Sequence, residues 1–106
     1  MAISDWRKKI DELDRKLAAL LNERASAAIE IGRLKRNTKL PIYEPDRERA
    51  VIENVQQSSR GPLDKRDLAQ IFERIMDVMR NIQKHEIVPD PAPSSRETEL
   101  DSRIED

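Results

Sequence analysis

From Ile3 to Asn37 the apolar residues recur at helical spacing and no proline interrupts them, so this third of the chain has to form a single long helix. Trp6, Ile10, Leu13, Leu17, Leu20, Ala27, Ile31 and Leu34 advance by alternating threes and fours, the near-heptad stripe of a helix that packs on another helix. At 1.5 Å per residue such a helix is about 52 Å long. A chain of 106 residues has too little left to cover it, which predicts a helical partner and an obligate oligomer. The stripe has one irregularity. The seam position between Leu20 and Ala27 is Arg24, and a cation in a seam needs an anion to offset its desolvation.

Helical geometry adds two further cations to the question. Lys35 follows Arg24 by eleven residues, which brings it back to within about 20° of the same face, about 16 Å along the axis. Arg7 precedes Arg24 by seventeen residues, about 25 Å away and about 100° round the helix. Arg24 and Lys35 can therefore share a small ligand within one chain. If Arg7 serves that site, it must come from a second subunit packed antiparallel.

Composition narrows the classes. Two glycines, 39% charged residues and a wealth of alanine, leucine, glutamate, lysine and arginine predict an all-α fold. There is no cysteine, hence no disulfide, thiolate nucleophile or cysteine-ligated zinc, and the single histidine, His85, builds no metal cluster alone. No membrane span or signal peptide is legible, so a soluble cytoplasmic protein is expected. Residues 89–106 carry a net charge of −4 and residues 1–88 a net charge of +3. Such a mild, interspersed positive balance suits a small anion and does not argue for nucleic acid.

After Ser4 or Asp5 as the expected N-cap of the first helix, the next signals lie at Leu40-Pro41-Ile42-Tyr43-Glu44, an extended connection, and at Pro45, which fits the first turn of a second helix running to Ser58. Val51, Ile52 and Val55 form its inner face. Its opening Asp46-Arg47-Glu48-Arg49 is either a solvated face of paired charges or a set in which Arg47 and Glu48 turn toward Arg24 and Lys35. Asp64 caps a third helix with Leu68, Ile71, Phe72, Ile75, Val78, Met79 and Ile82 inward and Gln83 at the edge of that face. Gln83 reads as a satisfied structural amide or as a ligand contact. Pro89 ends the helix, and residues 89–106 read as a flexible, acidic, proline-containing tail. The chain thus divides into a helical domain, 1–88, and the tail, 89–106.

Taken together, Asp11-Glu12-Leu13-Asp14, Leu20-Leu21-Asn22-Glu23-Arg24, Ile31-Gly32-Arg33-Leu34-Lys35 and Asp46-Arg47-Glu48-Arg49, with Arg7 and Gln83, resemble the all-helical chorismate mutase family, the AroQ class, over residues 3 to about 87. The resemblance implies an intertwined homodimer of three-helix chains that converts chorismate to prephenate for phenylalanine and tyrosine biosynthesis, without a cofactor or metal. By that resemblance Arg24 binds one substrate carboxylate and Arg7 of the other subunit the second. Lys35 and Gln83 donate to the ether oxygen, Glu44 and Glu48 address the ring hydroxyl, and Arg47 lines the pocket and orients these acids. Mutase domains of this family are often fused to or docked on other shikimate-pathway enzymes, which makes the tail a candidate partner-binding segment or remnant linker.

The chain departs from the family pattern at Met79, where a small hydroxyl residue is common, and at Glu44, where an aspartate is common. Methionine cannot donate a hydrogen bond to a carboxylate, so Met79 is either a pocket wall or simply core. Two alternatives stand beside this reading. One is an isochorismate-pyruvate lyase on a similar scaffold, and the other is a non-catalytic helical dimerisation or regulatory module.

Overall fold

The computed structural model describes residues 2–87, and these form three helices. The expected domain boundary at residues 88 and 89, Pro89 as a helix stop and the tail of residues 89–106 lie outside the described residues. Helix α1 runs Ile3–Arg36, α2 runs Pro45–Ser58 and α3 runs Lys65–Ile87. No helix among the described residues is long and apolar enough to cross a membrane.

Each boundary has a local cause. The N-cap of α1 is Ala2 rather than Ser4 or Asp5. Asp5 acts from inside the first turn instead, its Oδ2 accepting the Ala2 N–H at 3.0 Å, where a carboxylate also meets the positive end of the helix dipole. At the other end the Lys35 carbonyl accepts both the N–H and the hydroxyl of Thr38, each at 3.0 Å, which closes the last turn and redirects the chain. Pro45 occupies the first turn of α2, where its missing N–H removes no helix bond. Asp64 caps α3 as its sequence position predicts, Oδ1 accepting the Asp67 N–H at 2.8 Å. The Gln56 amide donates to the Lys65 carbonyl at 2.9 Å and so ties the end of α2 to the start of α3.

Helix α3 is the hub. It packs against α1 and against α2, whereas α1 and α2 do not pack on each other. Among the described residues the buried apolar side chains are few: Ala28 from α1, and Met76 and Met79 from α3. Met76 is not among the inward positions read from the sequence. It is nevertheless buried, while Ile71 and Val78 are more exposed than their place in the stripe predicts. Gly32, also buried, sits where α1 and α3 approach most closely, and a Cβ there would lie 3.4 Å from Cα, Cβ and Cγ of Gln83. Near that crossing Glu86 of α3 receives Arg33 and Arg36 of α1, its carboxylate at 3.4 Å from Arg33 Nε and its carbonyl accepting the Arg36 Nε–H.

All of this packing uses the C-terminal part of α1. Every residue from 2 to 23 is exposed, including Trp6 at 55% and Leu20 at 60%. The radius of gyration is 17.7 Å, against about 13 Å for a compact domain of this length, because half of α1 projects beyond the other two helices.

The contact at Gly32 generates a stability prediction. Gly32→Ala should stay within about 1 kcal/mol of the parent, its gain in helix propensity set against a tight contact with Gln83. Gly32→Leu should lose roughly 1 to 3 kcal/mol by forcing α1 and α3 apart. Urea denaturation followed by circular dichroism measures both, and a leucine variant as stable as the parent would show that the close approach is dispensable.

Candidate active site

Where α1, α3 and the start of α2 converge, they enclose a cavity of about 350 Å³, within the range of small-molecule sites. Arg24, Ala27, Ala28, Ile31 and Lys35 line it from α1. Ile42 and Glu44 line it from the connection, Arg47, Glu48 and Val51 from α2, and Met76, Met79, Arg80 and Gln83 from α3. Four cations face two carboxylates there. The surplus of two positive charges matches a dianion, and the apolar lining from alanine, isoleucine, valine and methionine suits a hydrocarbon ring between its charged groups.

Lys35 is the most deeply placed of the charges, only 7% exposed. Its ammonium is compensated by two acceptors from the connection, the Pro41 carbonyl at 2.8 Å and Glu44 Oε2 at 3.3 Å. Only the Pro41 contact is an aligned hydrogen bond and the Glu44 contact is an ion pair, so the ammonium, with three N–H groups, keeps donors for a ligand. Gln83 is comparable. Its Nε2 donates to the Ala28 carbonyl at 3.0 Å, and an amide nitrogen has a second hydrogen. The two readings of Gln83 are thus compatible, since a structural bond to α1 anchors an amide that still has a donor to give. Each residue is fixed by the fold before any ligand arrives.

Arg24 lines the cavity half-buried and, among the described residues, makes no ion pair, so the seam arginine faces the cavity with its charge uncompensated. The charged opening of α2 divides between its two readings. Asp46 and Arg49 pair with each other at 3.3 Å on the exposed face, whereas Arg47 and Glu48 line the cavity. The acids are not oriented by Arg47, contrary to expectation. Glu44 pairs with Lys35, and Glu48 Oε2 lies 2.8 Å from Arg80 Nε, while Arg47 is exposed and among the described residues makes no ion pair. Met79, 7% exposed, serves as core and as cavity wall at once. Arg7 stands on the projecting half of α1 and contributes nothing to this cavity.

Arg80 is the site residue that the sequence reading missed. It follows the buried Met79 directly and precedes Gln83 by three positions, one helical turn, which was the available signal. Its guanidinium carbon lies 5.0 Å from the centre of the Tyr43 ring, and its terminal nitrogen lies 3.5 Å from Asp77 Oδ1. Although Nε is near Glu48, its N–H does not point at that carboxylate. The contact is an ion pair without an aligned hydrogen bond, and Nε, which solvent does not reach, has no other acceptor.

A three-helix chain with a cationic cavity at its helix junction defines an all-helical protein built to hold a small polyanion. The chain belongs to the chorismate mutase type II family, whose match spans residues 6–84. It is 40% identical over 75 residues to the bifunctional chorismate mutase/prephenate dehydratase of Pseudomonas aeruginosa, an alignment of 66% of this chain and 20% of that protein. The chain thus spans about a fifth of the length of that bifunctional relative. Against the chorismate mutase of Methanocaldococcus jannaschii it is 29% identical over 83 residues, 77% of this chain and 84% of the relative. The crystal structure of chorismate mutase from Helicobacter pylori in complex with prephenate superposes with a TM-score of 0.74 at 27% identity, over 80% of this chain and 92% of that one.

The burial of Lys35 predicts that its charge contributes little to folding. Lys35→Met exchanges a desolvated ammonium for an apolar side chain of similar length. The carboxylate it leaves is 43% exposed in the parent and can be hydrated. The unfolding free energy should change by less than about 1 kcal/mol. A loss several times larger in chemical denaturation would show that the lysine is structural rather than reserved for a ligand.

Proposed function

We propose that this chain rearranges chorismate to prephenate, in a cavity completed by a second copy of itself. Family membership and the prephenate held by the Helicobacter pylori relative support the substrate. The observation that carries the reading is the pair Lys35 and Gln83, each anchored to the fold by a hydrogen bond to a backbone carbonyl and each with N–H to spare. The rearrangement is intramolecular. The ether C–O bond breaks as a C–C bond forms between the enolpyruvyl unit and the ring, and negative charge grows on the departing oxygen. Two donors already fixed around that oxygen stabilise the charge without reorganising during the step. Arg24 would take one carboxylate and hold the folded, reactive conformer. Glu44 and Glu48 would receive the ring hydroxyl, with Arg47 and Met79 as cavity wall.

The second copy follows from the exposed stripe. Seven large apolar side chains from Ile3 to Leu21 stand in solvent on the projecting half of α1. A parallel apolar stripe of this length favours pairing with another helix. An antiparallel copy would cover it and bring Arg7 of the partner subunit to the open side of the cavity, where the other carboxylate would lie. In this reading the helical domain is the catalytic unit, the protein acts in the cytoplasm, and it works beside another enzyme of the shikimate pathway. The bifunctional relatives support that association.

Mixing the two variants tests reaction and assembly together. Arg7→Ala and Arg24→Ala, each inactive alone, should recover about a quarter of parental chorismate turnover when unfolded and refolded as an equal mixture, since half the dimers are mixed and each has one intact site. An active parent whose variants do not complement would remove Arg7 from the shared site. A parent that ignores chorismate and instead releases pyruvate from isochorismate would replace the proposed reaction.

Gln83→Glu places an acceptor where the ether oxygen needs a donor. A carboxyl donates only when protonated, and a free glutamate titrates near 4.3, so turnover by this variant should be about 100-fold down at pH 7.5 and rise as pH falls. A flat pH profile for the variant would separate Gln83 from the ether oxygen.

A further inference from the structure

The proposed reaction gives substrate contacts to Arg24 and Lys35, makes Arg47 cavity wall and gives no task to Arg80, which is flanked by three neighbours. Its guanidinium is flanked on two sides, by the Tyr43 ring at 5.0 Å and by Asp77 Oδ1 at 3.5 Å on its own helix. Its third neighbour is Glu48 in the first turn of α2, at 2.8 Å from Nε and out of line with the N–H. Separation is therefore already that of a strong charge-assisted hydrogen bond, and only direction is missing. Because solvent does not reach Nε, a ligand in the cavity cannot supply the missing acceptor directly. A rotation of the Glu48 carboxylate can.

We propose that Arg80 is a positioning residue that couples recognition of the substrate's ring hydroxyl to the completion of its own hydrogen bond with Glu48. As one carboxylate oxygen of Glu48 turns to accept the hydroxyl proton, the other comes into line with Arg80 Nε–H. The bond lacking in the free pocket then forms only when a hydroxyl is present. Arg80 thus sets the preference for a hydroxylated ring over its deoxy counterpart without touching the ligand. This rests on the reading above, in which Glu48 receives the ring hydroxyl. It also assigns the difference between arginine and other residues at this position to one N–H rather than to charge, because lysine has a methylene where arginine has Nε, and glutamine has an amide nitrogen there.

The test uses two inhibitors, a bicyclic ether dicarboxylate that mimics the rearrangement's transition state and the same molecule without its hydroxyl. Their affinities are measured by titration calorimetry and by inhibition of chorismate turnover. In the parent the hydroxylated inhibitor should bind more tightly. Arg80→Met should lower that preference about tenfold, the scale of one hydrogen bond to a charged group, while affinity for the deoxy inhibitor holds. Arg80→Lys should behave like methionine and serves in its place if the methionine variant fails to fold, whereas Arg80→Gln should retain most of the preference. In a Glu48→Gln background, Arg80→Met should no longer move it. Equal losses for both inhibitors, a glutamine variant no better than methionine, or an effect that persists in the Glu48→Gln background would each overturn the role of Arg80. A parent that neither converts chorismate nor binds either inhibitor overturns the proposed reaction and this role with it. A parent that does both while the preference stays fixed overturns this role alone.

Discussion

The buried ammonium of Lys35 is the constraint from which the rest of the site follows. An uncompensated charge at that depth would be untenable, so the connection between α1 and α2 has to return over the end of α1 and offer the Pro41 carbonyl and the Glu44 carboxylate. Thr38 makes the return possible by closing on the Lys35 carbonyl, and Pro45 converts the extended connection into helix directly after Glu44. The direction in which α2 leaves is therefore tied to Lys35. Arg47 and Glu48 reach the cavity because they lie in the first turn after that junction.

A core of this size does not account for a 34-residue helix. Ala28, Gly32, Met76 and Met79 secure one crossing, and the rest of α1 carries an apolar stripe with nothing among the described residues against it. In the proposed dimer the same projecting half that lacks packing would also carry Arg7 to the partner's cavity. On that proposal, folding and ligand binding would ask for the same second helix. Assembly in this arrangement would be part of the active site's construction and not a later addition to it.

The helices were legible because their signals are local. An unbroken stripe, Pro45 after an extended segment and Asp64 before an amphipathic run each act within a turn or two, and the observed bounds fall at or beside them. Arg24 was legible for a related reason, as a charge in a periodic apolar series. Ala2 was not, since alanine carries no capping group and the compensating carboxylate of Asp5 acts from inside the helix. Arg80 was not either. Its partners, Tyr43 and Glu48, lie more than thirty residues earlier, and a charge at the edge of an amphipathic face looks the same whether it meets solvent or another helix. The pairing of the acids depends on how α2 sits on α3, so the expectation for Arg47, the nearest arginine in sequence to both, gave way to Lys35 and Arg80.

The polar groups around the cavity also bear on how such a site can be both stable and reactive. A pocket of unsatisfied donors would collapse on itself or fill with bound water, and each donor would then have to be freed before it could serve a ligand. Here Lys35 gives one of its three N–H groups to the Pro41 carbonyl and pairs its charge with Glu44, and Gln83 gives one of two to the α1 backbone. These contacts restrict both side chains while leaving each with hydrogen to donate. The restriction has to be made by backbone carbonyls, at least in part, because a carbonyl does not titrate and does not leave when an anion enters. Glu44 is the exception, a charged partner of Lys35 that a dianionic ligand would repel. Movement on binding should accordingly concentrate in Glu44 and Glu48, the two acids, while the donors hold still.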